Sequence, residues 1–268
     1  MPLPVVLSIA GFDPSSGAGI TADIKTASAH GCFATTCITA LTVQTTERVF
    51  AVEAVDAGLI RDTLFELVRD LPPAAVRIGM LGNGLIAEVV ADFLETVRPP
   101  NVVLDPVLRS TSGAALLDAR GESVLKHRLL KFVDVITPNI EEAAVLCGHL
   151  PGQIGSSPED EIVELATRLH HLGCKSVVVT GGHLDQADDL LSVGPAASPR
   201  IEWFRAPKIQ SRATHGTGCA FAMATACNLA NGLDLSQSVR DAKSYVRRAI
   251  ETAEPLGHGH GPLNHLCK

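Results

Sequence analysis

Aromatic side chains are scarce: one Trp, one Tyr and eight Phe make up 4% of 268 residues. The interior must be built from small aliphatic groups, and 23 glycines among many Ala, Val and Leu fit helices packed closely on a buried sheet. Cysteine pairs are lacking too. The seven cysteines (Cys32, Cys37, Cys147, Cys174, Cys219, Cys227 and Cys267) are odd in number and form no Cys-x-x-Cys motif. That argues against a disulfide framework and a structural zinc site. Basic charge is not in excess: 22 Lys and Arg stand against 29 Asp and Glu, a net charge of −7. No nucleic-acid surface is expected. Phosphate ligands stay open, because backbone N–H groups bind anions without net positive charge. No apolar run is long enough to span a bilayer, and residues 1–10 carry no basic stretch ahead of their apolar run. The expectation is a cytoplasmic protein with no membrane partner. No Gly-x-x-x-x-Gly-Lys-Ser/Thr loop occurs, which excludes a P-loop.

What is present is an alternation. Strands are expected over 5–10, 33–45, 49–55, 75–79, 102–104, 133–136, 176–180 and 201–206. Helices are expected over 20–30, 57–71, 85–97, 119–130, 141–147, 158–172, 218–230 and 235–253. The strands are continuous apolar runs, as in parallel sheets buried on both faces. The order implies an α/β fold, a mostly parallel sheet with helices on both sides. No repeat or linker divides the chain, so residues 1–268 are expected to form one domain, with 150–158 its flexible loop. Ligands of such sheets bind beyond the carboxyl ends of strands. Gly11, Asp105, Asn139 and Thr180 each follow a strand directly and so share one rim.

At that rim belongs the turn Thr214-His215-Gly216-Thr217-Gly218-Cys219, which opens a small-residue helix. Amides at a helix N-terminus suit an anion. The same field is expected to lower the pKa of the Cys219 thiol. Anion-binding amides and a tunable acid–base group in one turn point to phosphoryl transfer. A Cys-His hydrolase, with Cys219 as nucleophile and His215 as base, is the rival from another class. It leaves the strand-end carboxylates without a role.

Other motifs are weaker alone. Gly17-Ala18-Gly19-Ile20-Thr21-Ala22 matches a dinucleotide fingerprint formally, but no acid stands near residue 42 to bind a ribose. A substrate loop ahead of a helix is the better reading. Asp105 and Glu142 are oxygen donors of the kind magnesium prefers. Their bland alternatives are a turn acid before proline and a solvated first-turn acid. Thr180-Gly181-Gly182-His183 is either a backbone cradle for nucleotide phosphates or a tight turn. The tail Gly257-His258-Gly259-His260-Gly261-Pro262 reads as a glycine-rich turn rather than a metal site.

Taken in order, the stretches 8–20 (Ser-Ile-Ala-Gly-Phe-Asp-Pro-Ser-Ser-Gly-Ala-Gly-Ile), 22–26, 38–45, 78–81, 105–107, 137–143, 181–183, 214–219 and 257–262 resemble the ribokinase-like superfamily. More narrowly they resemble the hydroxymethylpyrimidine/phosphomethylpyrimidine kinases of thiamine biosynthesis. The resemblance implies a ribokinase-like three-layer α/β/α fold and a homodimer. It implies ATP-dependent phosphorylation of 4-amino-5-hydroxymethyl-2-methylpyrimidine to its monophosphate and then to the diphosphate. Gly11, Asp23, Gln44, Met80 and Val107 would line the pyrimidine pocket, with Gln44 reading the aminopyrimidine edge. Related pyridoxal kinases, the second reading, tend to carry an apolar residue at that position. Gly216, Thr217, Gly218 and Cys219 would form the anion hole, and Cys219 would also be the base. Asn139, Thr180, Gly182 and His215 would contact ATP, and Asp105 and Glu142 would organise Mg2+. One departure is Thr180, where the family often has lysine.

Overall fold

The computed structural model describes residues 3–110, 113–150, 157–182 and 186–267. Most of the loop expected at 150–158, and His183, lie outside the described residues. In chain order the elements are β1 (Val5–Phe12), α1 (Gly19–Ala29), β2 (Phe33–Gln44), β3 (Val49–Ala54), α2 (Ala57–Asp70), β4 (Ala75–Ile78), α3 (Gly84–Val97), β5 (Val102–Leu104) and α4 (Ala119–His127). They continue with β6 (Val135–Ile136), α5 (Ile140–Leu146), α6 (Pro158–His171), β7 (Ser176–Val179), β8 (Asp189–Val193), β9 (Arg200–Phe204), α7 (Thr217–Ala230) and α8 (Leu235–Glu251).

The strands form one sheet in the order β3-β2-β1-β4-β5-β6-β7-β8-β9. Its middle, β2 to β7, is parallel. The strands β3, β8 and β9 are added antiparallel at the two sides. Alternate side chains divide between two cores. Leu7, Ile9, Val76, Ile78 and Leu104 pack with helices α2 to α6, whereas Val6, Ala75, Val103 and Val178 pack with α1, α7 and α8. The three-layer α/β/α expectation is met.

Two local expectations are corrected. Strand β8 was not foreseen, because Asp189 and Ser192 give it a polar look; both are buried. Asp189 is paired with Lys243 Nζ at 2.8 Å, and Ser192 Oγ lies 2.9 Å from His170 Nε2. The helix expected over 119–130 stops at His127 and gives way to a 3-10 turn, Leu129–Phe132.

Helix starts follow a rule with two exceptions. Asp56, Asn83, Asp118, Asn139, Ser157 and Asp234 cap α2, α3, α4, α5, α6 and α8 with their side chains. Such a cap is worth about 0.5–2 kcal/mol. Helices α1 and α7 begin after Ala18 and Gly216 with no side-chain cap. Both start beyond the carboxyl ends of the strands, Gly19 against Gly11 O and Gly218 near Asp105.

Candidate active site

The rim begins with an irregularity. The pairing of β1 with β2 shifts between Ala10 and Phe12, which releases Gly11 from the ladder. Any side chain at Gly11 would press on Met80 Sδ, 2.8 Å from the position of a Cβ. Met80, Ala40 and Leu116 form a small apolar cluster with Val107 against it. Three of the residues expected around a pyrimidine, Gly11, Met80 and Val107, are therefore together.

Gln44 ends β2, where the register with β3 shifts again. Its amide lies between Thr42 Oγ1, 3.2 Å from Oε1, and His215 Nε2, 3.1 Å from Nε2. The same His215 nitrogen lies 2.7 Å from Asp13 Oδ2. Asp13 is buried and also accepts from Ser15, Gly17 and Ala18. Burial alone would raise its pKa, but the His215 and Ser15 hydrogen bonds outweigh that and lower it. His215, expected at ATP, is thus tied to the 11–19 loop and Gln44. Two glycines make the contact possible: a side chain at Gly17 would collide with the His215 ring, and one at Gly216 (φ +82°) with Gly17 O.

Behind this surface lies a buried charge cluster. Arg77, in the short strand β4, is 0% exposed and points to the α1/α7 layer. Its Nη1 donates to Asp23 Oδ2 at 3.0 Å and its Nη2 to Asp105 Oδ2 at 2.5 Å. Ser8 Oγ donates to Asp23 Oδ2 at 2.5 Å. Burial opposes the Arg77 charge, but Asp23, Cys219 and Asp105 outweigh it and hold the guanidinium protonated. The two carboxyls are pushed above the usual range by burial, against the pull of Arg77. Asp23, expected in the pocket lining, is turned by α1 onto the sheet, where it is fully buried and its Oδ1 has no hydrogen-bond partner among the described residues. Arg77 escaped the sequence reading. Its signal was a lone arginine inside an apolar four-residue strand.

The 216–219 turn closes over this cluster. A Cβ at Gly218 would lie 3.8 Å from Asp105 Oδ1. Cys219 interacts with the backbone of Gly19 and with the side chains of Arg77 and Asp105. Its thiol is not lowered as the helix terminus led one to expect. Burial pushes it up to about 11; Arg77 pulls down, and Asp105 and Asp23 push further up. Desolvation and two nearby carboxylates exceed the field of a helix end.

Across the rim, Asn139 and Glu142 form a capping box at α5: Glu142 N donates to Asn139 Oδ1 at 2.8 Å and Asn139 N to Glu142 Oε2 at 3.0 Å. Burial, and then the charge of Asp105, pushes the Glu142 carboxyl up to about 8. Thr180 bridges to Asn139, its N donating to Pro138 O at 2.9 Å. Gly182 is exposed with open space about its Cα. Gly181 N donates to Asp189 Oδ1 at 3.0 Å, so the Lys243–Asp189 pair supports this turn from behind. A groove of about 440 Å³ between β8, β9 and α8 lies elsewhere and is lined by none of these residues.

A family model described as phosphomethylpyrimidine kinase matches residues 13–264. A hydroxymethylpyrimidine/phosphomethylpyrimidine kinase of Aquifex aeolicus is 40% identical over 258 residues, covering 96% of this chain and 98% of that protein. A thiamine biosynthesis bifunctional protein of Geobacter sulfurreducens is 41% identical over 263 residues, which is 97% of this chain. Here the chain spans about half of its relative, 52%. Among solved structures, an ADP complex of Bacillus subtilis pyridoxal kinase superposes with a TM-score of 0.87 at 30% identity, covering 99% of this chain and 98% of that one. The fold is that of the ribokinase-like kinases, and the chain belongs to the phosphomethylpyrimidine kinase family.

Proposed function

We propose that this protein phosphorylates the hydroxymethyl group of 4-amino-5-hydroxymethyl-2-methylpyrimidine with ATP, and then the resulting monophosphate, in thiamine biosynthesis. The observation that carries this reading is identity near 40% over almost the whole chain, joined to a rim where Gln44 and the Gly11, Met80 and Val107 cluster adjoin an uncapped helix start.

The chemistry assigned to the chain's residues is as follows. Gly11, Met80 and Val107 hold the pyrimidine ring, and Gln44 reads its edge. Asp23 stands beneath them, with one oxygen on Arg77 and Ser8 and the other, Oδ1, left for the substrate. The amides of Gly216, Thr217, Gly218 and Cys219 receive the oxygens of the phosphoryl group in transfer. One donor of this kind is worth roughly 2.7–4 kcal/mol in the oxyanion-hole precedent. Cys219 accepts the hydroxyl proton as the thiolate, which burial disfavours and Arg77 favours. Asn139, Thr180 and Gly182 contact the nucleotide.

The donor set at Asp105 and Glu142 suits Mg2+: both are hard oxygen ligands, and the Glu142 carboxyl is raised by burial and then by the charge of Asp105, which a cation would offset. Bound there, Mg2+ would neutralise phosphate charge and, by offsetting Asp105, ease ionisation of Cys219. The proposal includes a homodimer, a cytoplasmic location, and no nucleic-acid or membrane partner. Among the described residues no helix is long and apolar enough to cross a membrane. Light scattering tests the dimer.

A pyridoxal kinase on the same scaffold is the second reading, favoured by the superposition with the Bacillus subtilis enzyme. Release of ADP, measured with the aminopyrimidine alcohol and with pyridoxal in parallel, separates the two. The proposal expects the higher kcat/KM with the aminopyrimidine. A preference for pyridoxal refutes it, and so does turnover of neither alcohol.

A further inference from the structure

We infer that His215, held by Asp13, locks the Gln44 amide in one of its two orientations, and that this lock makes the site accept a 4-aminopyrimidine and reject the 4-oxo counterpart. The substrate half of this inference rests on the proposed function; the hydrogen-bond half does not.

The argument starts at Asp13. Its carboxylate is buried, takes N–H or O–H donors from Ser15, Gly17 and Ala18, and is kept ionised by its hydrogen bonds. An ionised carboxylate only accepts. His215 Nε2 at 2.7 Å from Asp13 Oδ2 must therefore carry a proton and donate it. That nitrogen then has no lone pair left to accept with, and its one proton, directed at Asp13, can only be shared with a second acceptor. One end of the Gln44 amide stands 3.1 Å away. With Nε2 of Gln44 turned to His215, as in the structure, donor faces donor. A half-turn of the amide exchanges its N and O and removes the conflict.

The opposite end gives the same answer independently. Thr42 Oγ1 lies 3.2 Å from the Gln44 amide and 3.1 Å from Phe12 O. Thr42 has one proton for two carbonyl-type oxygens, Phe12 O and Gln44 Oε1, so one of the two contacts lacks a hydrogen; given to Phe12 O, a backbone carbonyl that cannot turn, the proton leaves the Thr42 lone pairs facing Gln44. They call for an N–H. The His215 end thus requires Oε1 toward the ring, and the Thr42 end is served best by the same turn, with Nε2 toward Thr42. Every donor then has an acceptor along Asp13, His215, Gln44, Thr42 and Phe12.

The consequence is specificity. A 4-aminopyrimidine presents a donor amino group beside an acceptor ring nitrogen; a 4-oxopyrimidine presents an acceptor beside a donor. With the ring held so that its 5-hydroxymethyl group meets the 216–219 turn, Gln44 pairs with one pattern in one amide orientation and with the other only after a half-turn. His215 and Asp13 are positioning residues that forbid the half-turn.

The test compares kcat/KM for 4-amino- and 4-oxo-5-hydroxymethylpyrimidine in the wild type, His215→Phe and Asp13→Asn, with KM for ATP measured alongside. The wild type is expected to prefer the amino compound by on the order of 100-fold or more, as sites built around hydrogen bonds do. Each variant is expected to narrow that ratio by about tenfold or more through better use of the oxo compound, with KM for ATP unchanged. A variant that is folded and keeps the wild-type ratio overturns the lock. Nitrogen-15 spectra of the wild-type histidine rings need no variant: His215 protonated at Nε2 supports the relay, and a bare Nε2 overturns it. Turnover of neither pyrimidine overturns the proposed function and the specificity claim, while the ring spectra still decide the relay.

Discussion

Arg77 Nη2 donates to Asp105 Oδ2 at 2.5 Å in the interior of the protein, one strand away from the rim where Asp105 meets the 216–219 turn. The same guanidinium holds Asp23 on α1, so one buried cation fixes the carboxylate beneath the site, the helix that follows the substrate loop and the surroundings of Cys219. Removing one partner of a buried ion pair leaves uncompensated charge. Arg77→Met is therefore expected to lower unfolding stability by about 3–5 kcal/mol, and Arg77→Lys by less. Urea unfolding measures this. A Met variant as stable as the parent would show that the two carboxyls fold neutral and need no cation.

Gly79 makes room for that guanidinium. A Cβ there would overlap Arg77 Nη1, whereas a Cβ at Gly182 meets open space. Gly79→Ala is expected to cost about 1–3 kcal/mol from overpacking, and Gly182→Ala next to nothing. Melting temperatures of the pair decide it, and equal values would contradict the packing argument.

Acid sensitivity has a specific source in His265. Burial, and then Lys25, lower its pKa from 6.5 to about 4. The unfolded chain binds its proton first as pH falls, so the neutral folded ring is destabilised relative to the unfolded state through that window. The contribution is complete above pH ~6.5 and lost toward pH ~4, roughly 3 kcal/mol at most. His265→Gln should flatten the stability–pH slope between those limits. An unchanged slope in the variant contradicts the assignment.

Cys219→Ala is expected to reduce phosphorylation of the free alcohol by about 10²–10⁴-fold, the range for a general base, with KM for ATP retained. The second transfer should suffer less, because its phosphate acceptor is already anionic. Near-normal turnover of the alcohol would remove Cys219 from the proton path.

Most of the fold was legible because its strands are apolar runs bounded by turns and its helices carry polar starts such as Asn139 and Ser157. What hid were the buried polar groups. Asp189 and Ser192 disguised β8, since nothing local reveals that Lys243, 54 residues later, neutralises the first of them. Arg77 gave no cue to its two partners, which lie 54 and 28 residues away in sequence. Gln44, Gly11, Met80 and Val107 stand out through the family resemblance, and the structure groups the last three. His215, which the resemblance places at ATP, has its side chain on Asp13, 202 residues earlier, a pairing that no local signal reveals. The Cys219 thiol departs from its expectation for the same reason. Helix-end fields are local and readable, but desolvation and the charges of Asp105 and Asp23 depend on the assembled site.

The central claim is that one site carries out two successive phosphoryl transfers to an aminopyrimidine. Phosphorus-31 spectra of the purified protein with ATP, Mg2+ and 4-amino-5-hydroxymethyl-2-methylpyrimidine test it directly. The account expects a monophosphate that rises and then falls as a diphosphate replaces it. A spectrum in which ATP is unchanged, or in which no phosphorylated pyrimidine forms while pyridoxal is readily phosphorylated under the same conditions, would contradict it.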